Sequence, residues 1–198
     1  TNGQADLTIN TPGFSFDVIQ INDTKLAVSC HGSGIHLIDI KKNAVSNSFL
    51  RSLHIFGISF RDEDNLIYCQ MGVGVRMIRI SDGIVTDIVK EELPALCYVT
   101  TFGDNVIHTN LETNTVTCHD INRKKKWSFK NESVLRNPRG VTTDNRGNVY
   151  VAGSGSGNIL IISADGQNHK EIKCGLRSPF GIAYDKTNGT LLVASYDE

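Results

Sequence analysis

The stretch NPRGVTTDNRGNVYVAGSGSGNILIISADGQ, Asn137–Gln167, reads as one complete sheet unit. Pro138 leads into a short alternating run, Gly140–Thr143, and the turn Asp144-Asn145-Arg146-Gly147 follows. An apolar strand, Val149–Ala152, comes next, then a glycine-serine loop, Gly153–Gly157. A third strand, Ile159–Ile162, ends at a second turn, Ala164-Asp165-Gly166. Aspartate, asparagine and glycine suit such turns because they tolerate positive φ and hydrogen-bond their own backbone.

The unit recurs along the chain. Its apolar strand begins at Asn148, and runs of the same kind begin at Lys25 (KLAVSC), Asn65 (NLIYCQ), Asn105 (NVIHTN) and Thr190 (TLLVAS), with successive spacings of 40, 40, 43 and 42 residues. A preceding strand stands before each: FDVIQI from Phe16, FGISF from Phe56, LCYVT from Leu96, RGVTT from Arg139 and FGIAY from Phe180. Gly57, Gly140 and Gly181 share one column of that alignment, with Asp17 and Cys97 in the other two rows. A glycine there lets neighbouring backbones come close. Third strands recur as IHLIDI (Ile35), VRMIRI (Val75), VTCHDI (Val116) and NILIIS (Asn158). Weaker fourth strands recur near Ser46, Ile84, Lys125 and His169.

Four short strands in roughly 40 residues, without capped helical periodicity, fit a β-propeller. Each blade is covered on both faces, so its second strand should be almost continuously apolar. A β-sandwich would alternate and carry no such period. The expected fold is all-β, one β-propeller over residues 1–198, with blades at about 16–52, 54–90, 94–130 and 138–174 and a partial blade at 179–198. Asp6–Thr11 is a candidate outermost strand of a further blade. Four and a half blades do not close a ring, and no initiator methionine is present, so the expectation is an excerpt of a six-bladed propeller.

Asn137–Gln167 and Ser178–Glu198 (SPFGIAYDKTNGTLLVASYDE) resemble NHL repeats: proline, a spacer, glycine, a hydrophobic residue, then aspartate, glycine and a Val-Tyr-Val-Ala strand. The first three blades keep the period without the Pro–Gly signature, although Pro94 survives in the third. The chain is similar in style to the C-terminal propellers of TRIM-like proteins with B-box zinc fingers. That resemblance implies a non-catalytic recognition module, binding a protein partner or RNA through one open face. Ubiquitin-ligase chemistry, and any oligomerisation, would belong to other regions of the parent, since these residues contain no RING or B-box array of cysteines and histidines.

Composition orders these partners. Twenty basic and 21 acidic residues give a formal net charge of −1, which offers no global attraction to nucleic acid or acidic membranes. A protein partner therefore ranks above single-stranded or structured RNA. No apolar run approaches the ~20 residues of a spanning helix, and no signal-like segment opens the chain, so no membrane association is expected. Five scattered cysteines, Cys30, Cys69, Cys97, Cys118 and Cys174, with no CxxC, read as reduced thiols of a cytoplasmic fold.

A propeller hydrolase of the gluconolactonase or regucalcin type is the alternative from another class. It would need several hard oxygen ligands converging on the axis. The first residues of the inner strands, Phe16, Phe56, Leu96, Arg139 and Phe180, supply none. No G-x-S-x-G context is present either. No catalytic residue, metal ligand or cofactor is expected. Cys97, His108, Cys118 and His119 lack paired-ligand spacing. His108 aligns with Val28, Tyr68, Val151 and Val193, which marks a core histidine. The run Arg123–Lys126 reads as a solvated hairpin tip guarding an outer edge, with phosphate binding as the sharper alternative. Trp127 beside it reads as packing of the outer strand.

Gly153–Gly157 lacks the lysine and following helix of a phosphate cradle. It reads as a connection equivalent to His31–Gly34 and Met71–Gly74. These loops should share one face with the lead-ins at Arg136–Arg139 and Arg177–Phe180. The candidate binding residues on that face are Arg136, Arg139, Arg177, Phe180, His31 and Ser154, a mix of cations and one aromatic ring.

Overall fold

The computed structural model describes residues 8–173 and 175–196. Cys174, and the Asp6 and Leu7 part of the candidate outermost strand, lie outside the described residues; residues 8–11 form no strand. The first sheet holds β1 (Phe14–Asn22), β2 (Lys25–His31), β3 (Gly34–Asp39) and β4 (Ala44–Phe49). The second holds β5 (Ile55–Asp62), β6 (Asn65–Gln70), β7 (Gly74–Arg79) and β8 (Val85–Lys90). The third holds β9 (Val99–Phe102), β10 (Asn105–Asn110), β11 (Thr115–Asp120) and β12 (Lys125–Lys130). The fourth holds β13 (Pro138–Thr143), β14 (Val149–Gly153), β15 (Asn158–Ile162) and β16 (His169–Ile172). A two-stranded sheet, β17 (Pro179–Asp185) and β18 (Thr190–Ser195), follows. Each sheet is an antiparallel meander in chain order, and no helix occurs among the described residues. The chain is thus an all-β propeller arc of four complete blades and one two-stranded blade.

Burial explains why the second strands were so apolar. The interiors of β6 and β10 are continuously buried because a neighbouring blade covers each face, and that of β2 because blade two covers one face and the segment at Ile9 packs on the other. Strand β18 alternates instead, and Leu192 is 72% exposed, because its sheet is covered on one side only. The core is not one mass but a series of interblade layers. Ile35 and Leu37 of blade one pack with Ile55, Ile58, Leu66 and Tyr68 of blade two. Ile67 and Val75 of blade two pack with Cys97, Val99 and Val106 of blade three. Tyr98, Ile107 and Val116 of blade three pack with Val141, Val149, Val151 and Leu160 of blade four. Stability is therefore built between nearest neighbours, as in a repeat array.

The inner strands approach most closely where glycine was aligned. The Gly57 N–H donates to the Cys97 carbonyl at 2.9 Å. A Cβ at Gly57 would sit 2.5 Å from Tyr98 Cα, and one at Gly140 would sit 2.6 Å from Phe180 O. In blade one the column holds Asp17, whose carboxylate reaches the neighbouring strand and accepts the Ile58 N–H at 3.0 Å.

Blade three departs from the sequence alignment by one residue. Blades one and two carry an extra residue before the first turn, Ile21 and Arg61, which blade three lacks. Val99 therefore pairs with His108 as Ile58 pairs with Tyr68. Tyr98, not Cys97, occupies the glycine column, and Leu96 stands outside the strand with φ of 64°.

Gly140 and Gly181 share a sequence column but not an environment. A Cβ at Gly181 meets only the Ala194 Cβ, at 3.5 Å, among the described residues. Gly140→Ala is expected to cost about 2–3 kcal/mol through overpacking against backbone. Gly181→Ala in the 198-residue chain is expected to stay within about 0.5 kcal/mol. Denaturant unfolding of both variants checks this; equal losses would remove close backbone approach as the reason for the column.

Candidate binding face

Four inner strands begin with a break in register. The breaks lie between Ser15 and Asp17, Ile55 and Ile58, Pro138 and Val141, and Pro179 and Gly181. The residues inside them are Phe16, Phe56 with Gly57, Arg139 with Gly140, and Phe180. A β-bulge bends its strand and re-aims a side chain. Here the re-aimed side chains meet in the middle of the arc.

Phe16 lies 5.0 Å from Phe56, 5.0 Å from Tyr98 and 6.2 Å from Phe180, ring centre to ring centre. One residue of blade one thus touches rings from the second, third and fifth sheets. Tyr98 meets Phe180 edge to face at 5.7 Å, and Tyr196 meets Phe180 at 5.0 Å. The Arg139 guanidinium stands 5.3 Å from the Phe180 ring centre, in cation–π range. Its Nε and Nη1 are buried without a hydrogen-bond partner. Burial drives the Tyr98 phenol above its ordinary range; the Asp17 carboxylate adds to the rise and Arg139 opposes it.

Beside this cluster lies a cavity of about 350 Å³, lined by Phe16, Tyr98 and Phe180 together with Ser59, Thr100 and Thr142. Asp17 also lines it. Burial raises the Asp17 carboxyl to about 6, against the pull of the Ile58 and Val18 N–H groups. The cavity thus offers one tunable carboxyl, a few hydroxyls and aromatic walls. Metal-assisted hydrolysis needs several converging ligands, and no group of three His, Cys, Asp or Glu side chains among the described residues could hold a metal.

The remaining sequence-derived candidates form two groups on the rim. His31 is exposed; its Nε2 lies 3.0 Å from His54 Nδ1, and its ring lies 5.6 Å from Phe56. On the other side the glycine-serine loop folds onto the lead-in of its own blade. Ser154 N–H donates to the Asn137 carbonyl and Gly155 N–H to the Arg136 carbonyl, and Arg136 N–H donates to Ser156 Oγ. The Arg136 and Arg177 side chains are exposed, and Gly157 abuts the backbone at Leu176 and Arg177. A chain of contacts, His31–Phe56–Phe16–Phe180–Arg139, links the first group to Arg139.

Residues that sequence reading left out of the site are Tyr98, Asp17, His54 and Tyr196. Tyr98 was hidden by the one-residue slip in blade three. The others carried no local signal, because their positions follow from bulges and interblade contacts.

Other features fall away from this face. His108 is 1% exposed and stacks on His119 at 5.7 Å, as a packed core histidine does. Its Nε2 lies 3.6 Å from Glu91, whose carboxyl is held low by that contact. Arg123–Lys126 is exposed across the end of the β11–β12 turn and the start of β12. Trp127 donates to the Ala164 carbonyl at 3.0 Å and lies over Gly166, tying the outer strand of blade three to blade four. Cys30, Cys69, Cys97 and Cys118 are free and buried, and burial pushes the Cys97 thiol to about 12.

Comparison with known proteins agrees with this architecture. A family model described as a beta-propeller repeat matches residues 133–161, the lead-in and the first strands of blade four. The chain superposes on one from the crystal structure of a nidogen/laminin complex with a TM-score of 0.71 and 19% identity, covering 86% of this chain and 70% of that one. It superposes on PorZ, a surface component of the type-IX secretion system of Porphyromonas gingivalis, with a TM-score of 0.67 and 12% identity, covering 91% of this chain and 23% of that one. No curated protein matches by sequence. At such identities the likeness carries the fold alone.

The Asp17 shift has a stability consequence with a definite sign. The unfolded carboxyl titrates near 3.8 and the folded one near 6, so the folded chain holds the extra proton between them. Stability is greatest below the lower value and falls as pH rises through about 6. Asp17→Asn keeps an acceptor for the Ile58 N–H and removes the charge. It is expected to gain about 2 kcal/mol at pH 8, after allowance for solvent reaching the half-buried group, with the gain shrinking toward zero near pH 4. Denaturation of both proteins across that range measures it; a gain independent of pH would contradict the burial of an ionised carboxylate.

Proposed function

We propose that this chain is a non-catalytic recognition module that binds a protein partner through the face carrying the inner-strand lead-ins and the loops between second and third strands. The observation that carries this reading is the aromatic cluster of Phe16, Phe56, Tyr98 and Phe180, three of them set by bulges, at the end of the blades where His31, Arg136 and Arg177 are exposed. Aromatic rings at the centre and a polar, arginine-bearing rim are the composition of a protein interface. The near-zero net charge favours protein over nucleic acid. A chain of the same architecture occurs in a nidogen/laminin complex, which supports the reading by fold analogy alone.

Within this reading the chain is an NHL-type segment of a six-bladed ring. Its parent is a TRIM-like protein in which it would select the substrate of a ubiquitin ligase. The resemblance of Asn137–Gln167 and Ser178–Glu198 to NHL repeats supports that placement, and the buried free thiols support a reducing, cytoplasmic setting. Single-stranded RNA is the second reading. It draws on exposed Arg136 and Arg177, and on the Arg139 guanidinium over the half-buried Phe180 ring.

Peptides selected from a random display library on the immobilised chain test this directly. Binding of the selected peptides is expected to weaken about tenfold or more on Phe180→Ala or Arg136→Glu, and to be unchanged on Lys124→Glu. Random single-stranded RNA is expected to show no saturable binding near physiological salt. Salt-sensitive RNA binding lost on Arg136→Ala would move the face to the RNA reading. Peptide binding indifferent to every variant of this face would refute both.

A further inference from the structure

Arg139 carries a charge that makes no ion pair among the described residues. Its Nε and Nη1 are buried with no acceptor, and Phe180 orients the guanidinium without satisfying its donors. Other half-buried arginines of the chain are paired. Arg76 Nε donates to Asp87 Oδ1 at 2.7 Å, and Arg61 Nη2 lies 3.1 Å from Asp104 Oδ1, although Arg61 Nη1 is itself buried without a partner. Among the described residues no carboxylate makes an ion pair with Arg139. A guanidinium cannot shed its proton to escape this, and buried donors without acceptors are costly to keep. The register break between Pro138 and Val141 nevertheless directs this residue into the aromatic mouth.

We propose that the mouth receives an acidic side chain of the protein partner, its carboxylate paired with Arg139 and walled by Phe16, Tyr98 and Phe180. This inference rests on the protein-recognition reading above and narrows it to a partner chemistry. A carboxylate fits the planar donor fork of arginine. Charge count favours a monoanion. The Arg139 guanidinium contacts a cluster ring, while Asp17 lines the adjoining cavity. A phosphate of nearly two charges would meet the Asp17 carboxyl there. Aromatic edges, which carry the positive part of the ring quadrupole, also tolerate an anion beside them. Exposed Arg136 and Arg177 on the rim would draw an acidic segment inward.

The test pairs changes on both sides of the contact. Peptides selected on the wild-type chain are resynthesised with each Glu or Asp replaced by Gln or Asn, with free and amidated termini, and measured against wild type and Arg139→Gln. Expected is a loss of about tenfold or more from either change at one acidic position, with no further loss when both are combined. In the free chain Arg139→Met is expected to raise the melting temperature by about 2–5 °C, since it removes an unpaired charge; a structural arginine would show the opposite. Selected peptides that map to this face but ignore both changes would overturn the carboxylate assignment while leaving protein recognition intact. Binding that needs only a free terminus would overturn the side-chain assignment. No peptide binding at this face would overturn both readings. Arg139-dependent binding of inorganic phosphate or single-stranded RNA would assign the mouth to phosphate instead.

Discussion

Neighbouring inner strands touch backbone to backbone, and the rest of the arc depends on that contact. At Gly57 and Gly140 there is no room for a methyl group between one strand and the next. The spacing of the blades is set there, and the apolar layers farther out can then interlock: Ile58 and Tyr68 against blade one, Val99 and Val106 against blade two, Val141 and Val151 against blade three. Asp17 achieves the same closeness differently, bridging to Ile58 with a carboxylate that the resulting burial makes reluctant to ionise.

The same crowding creates the site. The inner strands line a cavity of about 350 Å³, and register breaks at the starts of four of them turn Phe16, Phe56, Arg139 and Phe180 toward one another at its edge. The rings satisfy themselves by edge-to-face packing. The guanidinium does not, because its Nε and Nη1 have no acceptor among the described residues. Phe56 and Tyr98 are buried in this cluster, while Phe16, Phe180 and Arg139 stay half-buried.

Much of the architecture was legible in the residues. The spacing of KLAVSC, NLIYCQ, NVIHTN and NVYVAG reports the blade period because burial on both faces keeps the second strands largely apolar, with Ser29, His108 and Thr109 as buried polar exceptions. The glycine column reports close approach because only a missing Cβ permits it. What stayed hidden is what depends on single-residue register. The absence of an extra residue before Asn105 moved Tyr98 into the cluster, and no composition signal marks such an omission. Arg139 and Phe180 could be placed on a face by alignment. The unpaired nitrogens of the one, and its stacking on the other, exist only once bulges and neighbouring blades are in place. The pairing of His31 with His54 is likewise a contact between blades that are separate in sequence.

The most direct measurement is amide hydrogen exchange on the chain with and without a bound acidic peptide. Protection is expected at the β2–β3 turn and at the starts of β5, β13 and β17, spanning 31–34, 54–57, 136–140 and 177–181, together with 96–99. Protection confined to the opposite strand ends, at 22–25, 62–65 and 103–105, or to the Arg123–Lys126 hairpin, would contradict the assignment of the binding face to the aromatic mouth.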